Sequence, residues 1–350
     1  YDTLEKKQIE IQQRLNRLGG DEVNVWANAS LKQAYDKNEI SYNYTEKGTA
    51  SFTAGWLETQ VDDVSKNILA VRRLDKIRNT FIKNMVLEKA VNGRIYCNFN
   101  PRGTVTGRFS SSYPNLQQVP ARDPELGPMI RSLFLPEEGA DWVVSDYSQQ
   151  EPRVLVHYAS LKSMETALVA RDQFNNNDDT DFHQMVADMA NIPRKQAKTI
   201  NLGLFYGMGN KKLASELGLD LDAAYDLFNK YHSKVPFVKE LSKQVSHVAS
   251  TRGYIKTLLG RKRRFDLWEP RDSWGERAVP ISEAYSRYPK QELKRAMTHT
   301  GLNALIQGSS ADITKAAMLK IWDSGLMDEI DIKLTIHDEL DFSIPHDKQK

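Results

Sequence analysis

Residues 332–344 read Ile332-Lys333-Leu334-Thr335-Ile336-His337-Asp338-Glu339-Leu340-Asp341-Phe342-Ser343-Ile344, and the fold turns on how this stretch is read. Ile332, Leu334, Ile336, Leu340, Phe342 and Ile344 share one parity, the pattern of a strand with a single apolar face. Asp338 falls in the same series. A carboxylate on such a face is costly unless it is paired, hydrogen-bonded or bound to a metal. The alternative is that His337-Asp338-Glu339 forms the tip of a tight hairpin, with both acids at the turn. Either geometry presents two adjacent acids beside a hydrophobic sheet.

Moving toward the N-terminus, Trp142-Val143-Val144-Ser145 reads as a short strand running into Asp146. Two strand-end aspartates far apart in sequence suit a phosphoryl-transfer site, because hard divalent ions take oxygen ligands and keep open positions for water and phosphate. Asp146 could equally be a plain helix cap after a strand. Helical spacing is expected over 153–161 after Pro152, over 194–208 and 211–245, and from about 291 to 324, with Thr180 or Asp181 capping a helix near Phe182. The N-terminal part is helical over 1–20, closed by Gly19-Gly20, and again over 60–91. Ser41–Gly55 and residues 92–122 read as loops, and 265–290 carries mixed signals. Strands in the middle and at the end, separated by a long helical insertion, make the class α+β.

The chain has 350 residues, 40% hydrophobic and 27% charged, enough for a substantial core and for more than one compact unit. No apolar run approaches the ~20 residues of a membrane-spanning helix, and no signal-peptide start is present. The single cysteine, Cys97, excludes an internal disulfide and a Cys-based zinc site, and fits a reducing compartment. Net charge is only +2, but Arg252 to Arg264 holds six cations and no acid. Such a patch on a near-neutral chain suits a polyanion-facing surface, or simply a solvated basic face. A second cationic set lies on the helix from Arg194. There Arg194, Lys198, Leu202 and Tyr206 are four apart and form a gently spiralling stripe. Two cations, an apolar side chain and an aromatic ring can meet phosphates, sugar and base in that order.

The motifs together resemble DNA polymerase family A. Asp146 to Arg153 (DYSQQEPR) is similar to its motif A, Arg194 to Gly207 (RKQAKTINLGLFYG) to motif B and Leu334 to Leu340 (LTIHDEL) to motif C. Thr106 to Pro120, Gly253 to Phe265 and Leu302 to Asp312 are similar to three further family segments, in the family's order. The resemblance implies a right-hand architecture with an antiparallel palm sheet and helical thumb and fingers. It would place the thumb at 1–100, the palm at 101–165 and 296–350, and the fingers at 166–295. It further implies primer-extending DNA synthesis by two-metal phosphoryl transfer with pyrophosphate release. Two magnesium ions, replaceable by manganese, would be held by Asp146, Asp338 and the carbonyl of Tyr147, with Glu339 nearby in a lesser catalytic role. His183, Arg194 and Lys198 would hold the triphosphate, and Lys198 would also protonate the leaving pyrophosphate. Glu151 would exclude a 2′-hydroxyl, with Gln149 and Leu202 close to the nucleotide and Tyr206 against the template base. Arg108, Asn115, Gln117, Asn303, Gln307 and His337 would contact primer or template, largely in the minor groove, where acceptors are similar for all correct pairs.

Three departures from the family pattern stand out: Leu202 where Phe or Tyr is usual, His299 in place of Arg, and Pro152 in place of Leu. The last two, with Gln149-Gln150, are phage-like. The expected partners are primer–template DNA, deoxynucleoside triphosphates and replication accessory proteins, with no membrane, in the cytoplasm of a bacterium or phage-infected cell. The chain stops soon after motif C, which reads as a fragment. A single-subunit RNA polymerase shares the palm, but Glu151 and the motif A wording argue against it. A non-enzymatic primer–template binder with a degenerate palm is disfavoured by the joint presence of Asp146, Asp338, Arg194, Lys198 and Tyr206.

Overall fold

A computed structural model describes the chain except for Glu46, Ala121, Arg122, Pro124, Tyr206, Gly207, Ser273, Trp274, Gln349 and Lys350, and describes Leu204 and Phe205 by their backbone only. The chain divides into two compact units. One comprises Tyr1–Asn98 with Ser111–Leu135, the other Phe99–Ser110 with Pro136–Lys350.

The first unit is built on helices α1 (Asp2–Gly19), α2 (Asn28–Lys37) and α3 (Asp63–Asp75). Gly20 ends α1 in the left-handed conformation at φ 87°, its N–H donating to the Asn16 carbonyl, the role that glycine fills without a Cβ penalty. Asp62 caps α3, accepting from Ser65 N at 2.7 Å, and the helix winds on through Lys76–Leu87 in the wider π form. Leu15, Leu31, Tyr35, Leu57 and Ile68, none of them exposed, form the centre of its core. The expected loop at 41–55 contains a small hairpin, Asn43–Tyr44 with Ala50–Ser51, and a one-turn helix from Ala54.

The second unit carries a three-stranded antiparallel sheet of β1 (Ala140–Asp146), β2 (Asp331–Ile336) and β3 (Glu339–Pro345), in the order β2-β3-β1. The hairpin alternative is therefore the correct one. His337 and Asp338 form the turn, with His337 at φ 62°, a conformation histidine adopts more readily than most residues. The expected one-faced alternation does not survive. β3 lies between two neighbours, and Leu340, Asp341, Phe342 and Ser343 are buried in succession. A register shift between Ile332 and Leu334 breaks the pattern further on β2.

The same unit contains α4 (Gln150–Ser160), α5 (Glu165–Asn176), α6 (Phe182–Ala190), α7 (Arg194–Phe205), α8 (Asn210–Leu217), α9 (Leu221–Lys234), α10 (Pro236–Arg252) and α11 (Gly301–Asp323). Val154, Leu155, Phe182, Tyr231, Phe237 and Ile306 belong to one continuous core. Helix α4 starts three residues earlier than expected. Pro152 sits within its first turn, where a missing N–H has no intrahelical partner to lose. The helix expected over 211–245 is three helices. Gly218 closes α8 at φ 65°, Asp220 caps α9, and Pro236 begins α10. The helix expected from 291 begins at Gly301. Residues 293–295 instead pair with Trp268–Pro270, a long-range ladder that overrides local helical spacing, and Met297 turns left-handed at φ 60°. Among the described residues no helix is long and apolar enough to cross a membrane.

Candidate active site

The register of the sheet brings the acids together. Glu339 pairs directly with Asp146 across β3 and β1, and the N–H of Tyr147 donates to the Asp338 carbonyl at 3.3 Å. Asp146, Asp338 and Glu339 thus share one end of the sheet although Asp146 is remote from the other two in sequence. Asp146 stays open to solvent, yet partial desolvation, followed by the charges of Asp338 and Glu339, pushes its carboxyl above the usual range. Like charges held at one point are relieved by a cation. Among the described residues no three His, Cys, Asp or Glu side chains converge into a cage. Such a donor set suits a hard divalent ion that takes one or two carboxylates and fills its remaining positions with water and phosphate oxygens.

Glu151 occupies the second position of α4, four residues beyond Tyr147. The Arg108 guanidinium donates to its carboxylate, and the two side chains are 17% and 12% exposed. Burial raises the Glu151 pKa, the Arg108 charge opposes that, and the Asp338 charge adds to it. Glu151 therefore feels the acid cluster electrostatically while its side chain is tied to Arg108.

Arg108 is itself held by a scaffold. Lys315 of α11 donates to the carbonyls of Pro101 and Gly107 at 2.7 and 2.6 Å, and Arg261 donates to the Thr106 carbonyl. Arg261 also faces Asp312 at 3.8 Å. Gly107 and Gly308 leave the room this needs. A Cβ on Gly107, at φ 84°, would fall 2.6 Å from Arg261 Nε, and one on Gly308 would fall 2.3 Å from Arg261 Nη2.

The second group of expected residues lies on α6 and α7. Asp181 caps α6 and takes both Nε and Nη2 of Arg194 on one oxygen, at 2.8 and 2.6 Å. His183 follows the cap, with Asn201 Nδ2 3.0 Å from its Nδ1. Burial, together with the Lys198 and Arg194 charges, lowers the His183 pKa against the pull of Asp181. Lys198 is exposed and Leu202 is half-buried against the core. Tyr206 lies outside the described residues.

The other expected contacts divide. Gln149 is a structural pin, donating to the Thr180 carbonyl at 2.5 Å and accepting from Phe182 N at 2.7 Å, so that it fixes the start of α6. Gln307 is buried on α11, and one helical turn earlier the Oδ1 of Asn303 is buried without a hydrogen-bond partner. His337 is at the exposed tip of the hairpin that carries Asp338. Asn115 and Gln117 belong to the first unit, where Asn115 Oδ1 accepts from Gln117 N at 3.1 Å and caps a short turn. Reading by stripe missed Asn201, because it lies off the line of Arg194, Lys198 and Leu202. It missed Lys315 as well, one of two lysines in a mostly apolar helix, and a polar residue inside an apolar face was the available signal in both cases.

The family model for DNA polymerase family A matches residues 1–350. A DNA-directed DNA polymerase of Pseudomonas phage M6 is 37% identical over 93% of this chain and 53% of its own length. The thermostable DNA polymerase I of Thermus aquaticus is 31% identical over 95% of the chain and 38% of its own. Among solved structures, the polymerase domain of Pol1 from M. smegmatis, in complex with DNA primer-template and dNTP, superposes with a TM-score of 0.79. It shares 27% identity, covering 99% of this chain and 59% of that one. The chain spans about half the length of the phage relatives it matches.

Proposed function

Because the chain belongs to DNA polymerase family A, we propose that it extends a primer 3′ end with deoxynucleotides on a DNA template, releasing pyrophosphate. Membership implies the use of divalent cations. The observation that carries the reading for this chain is the register pairing of Glu339 with Asp146 beside Asp338, at a sheet end where the acids repel one another.

Asp146, Asp338 and the carbonyl of Tyr147 would hold two magnesium ions, with Glu339 at the margin. When bound, these ions would lower the pKa of the primer 3′-hydroxyl and neutralise charge developing on the triphosphate. The hydroxyl attacks the α-phosphate and the α–β bond breaks. Lys198 contributes charge to the triphosphate and a proton to the departing pyrophosphate. Arg194 adds a planar fork suited to phosphate oxygens, and exchanges its bond to Asp181 to do so. Glu151, fixed by Arg108, walls off the place of a 2′-hydroxyl. Leu202 packs toward the sugar, and Tyr206 faces the template base. Arg108, Asn115, Gln117, Asn303, Gln307 and His337 serve primer and template. In this reading the thumb is residues 1–100, the palm 101–165 with 296–350, and the fingers 166–295.

Primer extension on a defined template with magnesium and four deoxynucleotides tests the assignment. Template-dependent growth that is lost in Asp146→Asn is the expected result. Tight primer–template binding with no extension would leave a binding module in place of the enzyme. Equal use of ribonucleotides would favour an RNA polymerase.

A further inference from the structure

A line of hydrogen bonds runs inward from half-buried His183, one of the proposed triphosphate residues. Tyr231 of α9 has its hydroxyl 2.5 Å from Asn201 Oδ1, and Asn201 Nδ2 lies 3.0 Å from His183 Nδ1. Tyr231 and Asn201 are fully buried, so no bulk water competes for these bonds.

The phenol sets the direction of the line. Were the Asn201 amide turned round, Tyr231 would have to accept from it, and the phenolic proton would be stranded in the interior without an acceptor. Tyr231 therefore donates to Oδ1. That leaves Nδ2 as the group facing His183, so Nδ1 must be a bare acceptor and the ring proton must sit on Nε2. An imidazolium is also disfavoured, because Nδ1–H would meet the amide N–H donor to donor. We propose that Asn201 and Tyr231 are positioning residues that fix His183 as the neutral Nε2–H tautomer, so that it meets a nucleotide phosphate as a directed hydrogen-bond donor and not as a cation. Only the identity of that acceptor rests on the polymerase reading.

The surroundings agree. Arg194 and Lys198 face His183 from α7, Asp181 from the cap of its own helix, and Tyr231 stands behind Asn201 on α9. With two cations already supplied, what the imidazole adds is direction. A neutral ring whose other nitrogen is anchored keeps its N–H aimed without a third positive charge to desolvate.

Long-range proton–nitrogen spectra of the full chain, labelled at histidine, read the tautomer directly. The His183 signals are identified by their loss in His183→Gln. At about pH 7.5 the expected pattern is an unprotonated Nδ1 and a protonated Nε2. Tyr231→Phe, which keeps the ring and the packing, frees the amide to turn. It should give mixed tautomers and raise KM for deoxynucleotides roughly 3–10-fold, with kcat and primer–template affinity near wild type. Asn201→Asp puts an acceptor at Nδ1 and should move a proton there. A wild-type spectrum with protonated Nδ1, or a Tyr231→Phe spectrum identical to wild type, overturns the proposal. If the chain failed to extend primers while the spectra came out as stated, the polymerase reading would fall and the tautomer assignment would stand.

Discussion

Removing the guanidinium of Arg108 should destabilise the second unit by about 2–4 kcal/mol at neutral pH. Breaking a buried ion pair from one side costs roughly 3–5 kcal/mol, because an uncompensated charge is left behind. The two side chains keep 17% and 12% of their exposure, so some water reaches the orphaned carboxylate and the lower figure applies. The sign with pH follows from Glu151. Burial, with Asp338 behind it, already holds that carboxyl above its ordinary range, and Arg108 is what opposes the shift. Without Arg108 the folded pKa climbs further. The folded chain then keeps its proton at pH values where the unfolded chain has lost it, so stability falls as pH rises through that window. Urea unfolding of wild type, Arg108→Ala, Glu151→Gln and the double variant, at about pH 7.5 and about pH 5.5, measures all of this. The Arg108→Ala penalty should shrink at the lower pH. The double variant should recover at least ~1 kcal/mol, since a neutral amide tolerates solitude better than a carboxylate. An Arg108→Ala protein within ~0.5 kcal/mol of wild type, or a double variant no better than the single, refutes the reasoning.

Asp146→Asn and Asp338→Asn should each abolish primer extension while primer–template affinity, which rests mainly on cations facing phosphates, changes little; measurable extension with magnesium counts against the carboxylate assignment. Glu151→Ala should raise incorporation of ribonucleotides relative to deoxynucleotides, because removing a steric wall relaxes selection without adding attraction; an unchanged ratio of kcat/KM values for the two sugars removes Glu151 from that role. Leu202→Tyr should weaken discrimination against dideoxynucleotides about ten- to a hundredfold by supplying a hydroxyl where the terminator lacks one. Uniform impairment of all nucleotides would show that half-buried Leu202 only packs. Gly308→Ala pushes a methyl into Arg261 and Thr257, at 2.3 and 2.6 Å, and should cost about 1–3 kcal/mol in urea unfolding. No loss would show that Arg261 yields freely.

How much was legible in the sequence depended on the range of the interaction responsible. The hairpin at His337-Asp338 left its mark in a thirteen-residue window, because apolar residues flank two acids on both sides. The Asp181 cap and the Arg194 helix were legible for the same reason. Residues 291–300 were not, since their partner strand at Trp268–Pro270 is more than twenty residues away and nothing local announces it. Gln149 shows the same limit within the site. Its place in motif A suggested a nucleotide contact, but nothing local announced that its side chain spans to Thr180 and Phe182, some thirty residues on. Asn201 sat inside the quoted motif B, yet its task is visible only when Tyr231 is brought up behind it. The separate acids could be read singly, and their convergence required the register.

The sheet that unites those acids also sets a timetable for synthesis. β1 leaves the ribosome about 190 residues before β3, which at ~5–20 residues per second is a wait of roughly 10–40 s. In that interval α6, α7 and α9 can complete their contacts, since these helices are close neighbours in sequence and local contacts form fast. The helices that carry Arg194, His183 and Lys198 are therefore synthesised in full well before Glu339 can pair with Asp146. A chain interrupted anywhere between Arg252 and Glu339 contains the residues of those helices and lacks the carboxylate pair. Under the proposed function, the residues assigned to the phosphates are made before the carboxylate pair that would act on them.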